Sequence, residues 1–240
     1  MAILQPMPQI IIQPKELHPW GQAWLTASRQ KKGDHANAFT KKDGMDFGKI
    51  FNEKVGQALA AMLGGVQTCR PNKNHLDARG VDCVEIGECR VIGGIRPQNY
   101  DVCYRPDGPR FVFDGKSLID AKSVQKNYQN MINDLGTEAT NVHTRFPYAI
   151  MAFMVVIPAP TLVSPQKESL TGCLERLSGR FSPIDNPHTA EVVSLIVWNP
   201  TDGVIAPDWP PKSSPLRIET FSDTIHRIYL DRYKGLPPHN

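Results

Sequence analysis

Two stretches of the chain, Tyr148–Ile157 and Val192–Trp198, are apolar almost without interruption. Each has strand length, and a continuous rather than alternating apolar run predicts a strand buried on both faces, central in a sheet covered by helices. Helical spacing is clearest at Val124, Tyr128, Met131, Ile132, Leu135, Ala139, Val142 and Phe146. It recurs over Asp46–Leu63, where Phe47, Ile50, Phe51, Val55, Leu59 and Met62 share a face before the Gly64-Gly65 stop. Shorter helices are expected over Lys167–Ser178 and from Ser222 through Tyr233, and Val81–Val91 alternates well enough for a strand. Asp101–Tyr104 and Phe111–Phe113 are short and β-prone, and the turn formers Arg105–Pro109 between them predict a hairpin. Helix followed by buried strand implies a crossover connection, so the expected class is α/β, a mixed central sheet flanked by helices.

At 240 residues the chain is long enough for one substantial domain. We read residues 1–240 as a single domain, with an N-terminal arm (1–45) and a C-terminal extension (160–240). In the arm, Ile10–Ile12 is the one clear apolar run of the proline-rich first twenty residues, expected as an arm or edge strand packed on the domain or on a second subunit. No apolar run approaches the length of a membrane span, and the N-terminus lacks the basic and apolar regions of a secretory signal, so a cytosolic protein is expected. Walker, Rossmann and His-Glu-x-x-His signatures do not occur. Cys69, His75, Cys83 and Cys89 fit no common zinc spacing, and the five cysteines are expected as free, mostly buried thiols.

The hairpin carries the chemistry. If Cys103 lies near Phe111 and Val102 near Val112, Asp101 arrives beside Phe113 and Asp114, with Lys116 two residues on. Two adjacent carboxylates repel, and each would have a raised pKa. A divalent cation removes the conflict: Mg²⁺ takes hard oxygen ligands, typically one or two carboxylates completed by water and substrate phosphate. Mg²⁺ held by Asp101 and Asp114, with Lys116 holding or helping to deprotonate the nucleophile, suits phosphodiester hydrolysis.

Asp101, followed thirteen residues later by Asp114-Gly115-Lys116 after an apolar run, resembles the PD-(D/E)xK nuclease signature of many type II restriction endonucleases. The resemblance spans roughly residues 46 to 160. It includes the helix after the hairpin, the apolar strand that follows, and Glu53 on the earlier helix, where this fold often supplies a further metal-site carboxylate. It implies a restriction endonuclease-like fold, Mg²⁺-dependent cleavage of double-stranded DNA leaving a 5′-phosphate, and a homodimer cutting both strands of a symmetric site. A structure-reading repair or recombination nuclease would share this centre. A non-enzymatic DNA-binding module would carry the same residues incidentally.

A second placement of the motif also fits, with Asp107 as first acid and Asp120-Ala-Lys122 thirteen residues later, if Asp114-Gly115 is itself a two-residue turn. The first placement is preferred, because the Arg105–Pro109 turn then joins strands of matching length. Glu85 and Glu88 on the preceding strand are further possible ligands.

A net charge of +3 does not settle the partner, and distribution says more. Arg29, Lys31, Lys32, Lys41 and Lys42 crowd a segment without apolar periodicity, and Arg70, Lys73, His75 and Arg79 a second. Both are candidates for DNA phosphates. On the long helix, Asn127, Asn130, Asp134, Glu138, Asn141 and Arg145 form a polar stripe, whose asparagines and arginine are candidates for phosphates or base edges.

Overall fold

The computed structural model describes residues 3–26, 37–72, 75–80 and 82–239. Its elements run α1 (Pro14–Thr26), α2 (Lys41–Met62), β1 (Gln67–Cys69), β2 (Cys83–Ile92), β3 (Pro97–Tyr104), β4 (Phe111–Ser117), α3 (Ala121–Arg145), β5 (Ile150–Pro158), α4 (Ser164–Leu177), β6 (Val192–Trp198) and α5 (Ile218–Tyr233). The class is α/β as expected. Among the described residues the strands form one mixed sheet of six, ordered β1 to β6 as in the chain. β2, β3 and β4 are antiparallel neighbours, whereas β1–β2, β4–β5 and β5–β6 run parallel. No described helix is long and apolar enough to cross a membrane.

Strand alternation sends side chains to two cores. Val84, Val102, Tyr104, Phe111, Phe113, Ala152 and Met154 meet α2, α5, Leu17 and Trp24 of α1, and the arm residues Met7, Ile10 and Ile12. On the opposite face Cys89, Tyr100, Cys103, Val112, Met151 and Phe153 pack against α3 and α4. Every residue of β5 and β6 is buried. β6 is nevertheless the last strand of the sheet, and its edge is covered by chain that follows it: Ala206 N donates to Val197 O at 2.7 Å and Leu195 N to Leu216 O at 2.9 Å.

Several elements depart from the sequence expectation. Among its described residues the arm forms no strand; the first of them pack against α2 and α5 and continue into α1, a helix begun by Pro14 that also contains Pro19. α2 starts at Lys41 rather than Asp46, because Thr40 and Asp43 form a capping box there. Lys41 and Lys42 are therefore first-turn helical residues, not loop. β1 is an additional strand, too short to carry a periodicity of its own. Cys69 and Cys83 are not free thiols but a disulfide joining β1 to β2. Cys89 and Cys103 are free and buried.

Two compact networks hold buried charge. Glu191 accepts from Arg180 and Arg232 at 2.8 Å each, from Met151 N at 2.7 Å, and pairs with His143 at 3.1 Å, joining α3, β5, β6 and α5. Glu85 is fully buried and paired with Arg105, whose guanidinium also binds the carbonyls of Leu76, Asp77 and Arg90. With its carboxylate consumed there, Glu85 does not serve as a further metal ligand. Removing only the acid strands a buried guanidinium, so Glu85→Gln is expected to cost about 3–5 kcal/mol of unfolding free energy in urea melts.

Candidate active site

The hairpin forms one residue out of the expected register. Tyr104 pairs with Phe111, Cys103 with Val112 and Val102 with Phe113, so Asp101 and Asp114 are the next positions along the two strands, just past the last paired residues. The backbone ladder stops at Val102. From there β3 continues along β2, with Tyr100 opposite Cys89, while Asp114–Ser117 of β4 stay paired with β5. The sheet thus opens into a notch between the first half of β3 and the second half of β4. At its apex the Asp101 carboxylate replaces the missing ladder acceptor, taking the Gly115 N–H at 3.0 Å on Oδ2.

β2 bends away on the other side of β3. Its register shifts between Ile86 and Cys89, and Gly87 has φ of 134°, a left-handed conformation natural to glycine. Between this bulge and α2 lies a cavity of about 420 Å³ lined by Lys41, Lys49, Asn52, Glu88, Asp101 and Gly115. An adjoining cavity of about 380 Å³ shares Lys49, Asn52 and Gly87 with it and adds Glu53, Gln57, Thr68 and Arg70. Gly115 is tightly enclosed: a Cβ there would lie 3.3 Å from Asn52 Oδ1 and 3.4 Å from Asp101 Oδ2.

Asp114 and Lys116 follow strand alternation to the α3 side. The Lys116 ammonium is bound by Asp114 Oδ2 and, at 2.7 Å, by Glu138 Oε1. Burial disfavours the charged form of Asp114, and the Asp101 and Glu138 carboxylates add to it, so its pKa lies well above the usual carboxylate range despite Lys116. Burial likewise raises Asp101, against the opposing hydrogen bonds from Gly115 and Asn52 and the charge of Lys116. For Lys116, burial opposes the ammonium, but Asp114 and Glu138 outweigh it and its pKa is raised. Both carboxylates favour the ammonium form of the lysine in this arrangement.

The sequence candidates divide accordingly. Asp101, Asp114 and Lys116 are brought together at the notch. Glu53 is exposed and lines the neighbouring cavity; the α2 residue that reaches Asp101 is Asn52, one position earlier. Lys41 and Arg70 line the two cavities, and Lys42 is exposed beside Lys41. Lys31, Lys32 and Lys73 lie outside the described residues.

The α3 stripe splits. Asn127 and Asn130 are exposed on the sheet face opposite the two cavities. Asn141 is buried and ties down the β2–β3 connection, through 2.9 Å bonds from Ile95 N and Arg96 N. Arg145 caps the Ile92 carbonyl at 3.4 Å and borders the Asp107–Arg110 turn, at the other end of β4 from Lys116. Glu138, grouped with surface residues by its periodicity, is instead the buried partner of Lys116.

The second motif placement is closed by distance along the fold. Asp107 sits in the hairpin turn and pairs with Arg110 at 2.6 Å, whereas Asp120 is the N-cap of α3 and accepts from Lys122 N at 2.9 Å. β4 lies between them, so they do not form one site.

Whether these residues suit a divalent cation is decided by the donor set. Among the described residues no group of three or more His, Cys, Asp or Glu side chains could hold a metal. The Asp101 carboxylate, with the unpartnered buried Asn52 Oδ1 on its side of the notch, and the Asp114 carboxylate on the other are oxygen donors of the kind Mg²⁺ takes, one or two carboxylates completed by water and phosphate. The carboxylate repulsion has a measurable consequence. An acid whose folded pKa is raised contributes most below its unfolded value of 3.8, and metal-free stability falls as pH rises from there through the raised folded-state pKa. Asp114→Asn lacks that slope, so at pH values above this window the variant is expected to exceed the metal-free parent by about 0.5–2 kcal/mol in denaturant melts. A variant less stable than the parent across the whole pH range would contradict the charge conflict.

No family model, curated protein or solved structure matches this chain.

Proposed function

We propose that this chain is a Mg²⁺-dependent endonuclease acting on double-stranded DNA, with a restriction endonuclease-like fold and the PD-(D/E)xK arrangement in Asp101, Asp114 and Lys116. The observation that carries the reading is the notch: Asp101 and Asp114 follow the last paired residues where β3 and β4 part, with Asp101 Oδ2 on the Gly115 N–H and Lys116 bound to Asp114. A buried acid beside a half-buried one is a poor device for stability and a good one for capturing a cation.

When bound between Asp101 and Asp114, Mg²⁺ would supply an activated water and charge stabilisation at the scissile phosphate. Lys116, held protonated, would present a positive charge to that phosphate or to the nucleophile. Gly115 keeps the strand between the acid and the lysine free of a side chain that would press on Asp101. The α2 cavities, with Lys41, Lys49 and Arg70, are the face we assign to the DNA backbone. A homodimer would cut both strands of a symmetric site, in the cytosol.

Incubating the purified protein with plasmid and Mg²⁺ tests this. Discrete fragments that disappear with chelator are expected. Structure-dependent nicking would point to a repair nuclease, and no cleavage of any DNA to a binding module. The basic residues make a separate prediction. If Lys31, Lys32, Lys41 and Lys42 meet phosphates, replacing all four by alanine flattens the salt dependence of duplex binding, by roughly 0.9 in log–log slope for each phosphate no longer neutralised. An unchanged slope would leave them as solvated surface.

A further inference from the structure

We propose that Glu138 is a positioning residue for Lys116, giving the ammonium a second seat so that the Asp114 carboxylate is left free for a divalent cation. The inference rests on the metal-site reading above and deepens it by assigning a residue of α3.

Glu138 is only 6% exposed, and one of its oxygens, Oε2, is buried without a partner. Its other oxygen holds Lys116 at 2.7 Å. The helix is anchored around it: Tyr100 Oη donates to the Glu138 carbonyl at 3.4 Å, and Asn141 Nδ2, in the following turn, donates to Arg96 O at 3.0 Å. A buried carboxylate with one oxygen unsatisfied costs stability that an apolar residue would not. Lys116 does not need it for charge balance, since Asp114 already pairs with the ammonium. What a second carboxylate changes is competition. With Asp114 as sole partner, the lysine would neutralise the same group that a cation must use. With Glu138 present, the ammonium has a carboxylate partner that the cation does not use.

A merely structural role and a positioning role separate in a double-mutant cycle read by Mn²⁺ binding to the full chain, measured by calorimetry without DNA and repeated with uncleaved duplex in the cell. Glu138→Gln, which keeps shape but not charge, is expected to weaken Mn²⁺ binding about tenfold or more in the presence of Lys116. In a Lys116→Met background the same change is expected to matter by less than about threefold, because the competing ammonium is gone. Equal weakening in both backgrounds, or none in either, would overturn the proposal. If Glu138→Gln alone does not fold, the double variant, in which both halves of the buried pair are removed together, is compared with Lys116→Met: near-equal affinity supports the proposal, and a tenfold difference overturns it. Failure of the parent itself to bind Mn²⁺, with or without duplex, would remove the metal site and the inference with it.

Discussion

Asp114→Asn and Lys116→Met are each expected to lower the rate of Mg²⁺-dependent plasmid cleavage by about 10²–10³-fold or more, with duplex affinity within a few-fold of the parent. Affinity for DNA comes mainly from phosphate contacts spread over a surface, whereas rate depends on charge placed where the transition state develops it. Removing one carboxylate or the one ammonium at the notch therefore removes rate and spares binding. The stability prediction for Asp114→Asn makes the result clean, since a variant more stable than its metal-free parent cannot lose activity by unfolding. Single-turnover cleavage and a filter-binding titration on the same preparations check both halves. Near-parent cleavage by both variants would remove the notch from the chemistry.

A large expected loss of stability lies elsewhere, at Glu191. Its carboxylate takes two arginines, a histidine and a backbone amide with no exposure to solvent. Glu191→Gln leaves Arg180 and Arg232 buried without a counter-charge, for an expected cost of about 3–5 kcal/mol. At roughly 2–4 °C per kcal/mol for a domain of this size, the melting temperature should fall by about 6–20 °C. Burial would raise the Glu191 pKa, but its hydrogen bond and pairing with His143 and the charge of Arg232 outweigh that and hold it below 4.5. An acid depressed in the folded state contributes fully above its unfolded pKa and loses that contribution as pH falls through the folded one. The gap between parent and variant should thus persist at pH 5 to 8 and close only in stronger acid. A gap that closes near neutral pH would mean the network is not held by this carboxylate.

What is legible in the sequence follows from which signals are local. Continuous apolar runs locate β5 and β6, and period-3.6 spacing locates α2, α3 and α5, because burial on one or both faces writes itself into consecutive residues. The turn formers between Tyr104 and Phe111 mark the hairpin, but its register differs by one residue from the expected one. Loop length leaves that choice open, and only packing of Val102 and Phe113 against the α2 side decides it. α1 is obscured because Pro14 and Pro19 suggest extended chain, although a proline at a helix start is compatible with helix. Glu138 is hidden for a different reason. A glutamate in a polar helical stripe looks solvated, and its burial is set by how α3 crosses a sheet that is discontinuous at that point. Asn52 shares that character, since the neighbouring Glu53 carries the stronger chemical signal while the helix rotation turns Asn52 to Asp101. The disulfide likewise depends on β1 pairing with β2, which no spacing of the cysteines announces.

The central claim is that Asp101 and Asp114 are a cation site, and thermal melts in Mg²⁺, Mn²⁺ and Ca²⁺, with and without duplex DNA, test it most directly. Each ion should raise the melting temperature of the parent in a concentration-dependent way, because an ion held only by the folded state stabilises it by mass action. Ca²⁺ should do so without supporting cleavage, its looser coordination placing the attacking water poorly. Asp101→Asn should abolish most of the shift. A parent whose melting temperature ignores all three ions in the presence and absence of duplex, or an Asp101→Asn protein that responds as the parent does, would contradict the claim.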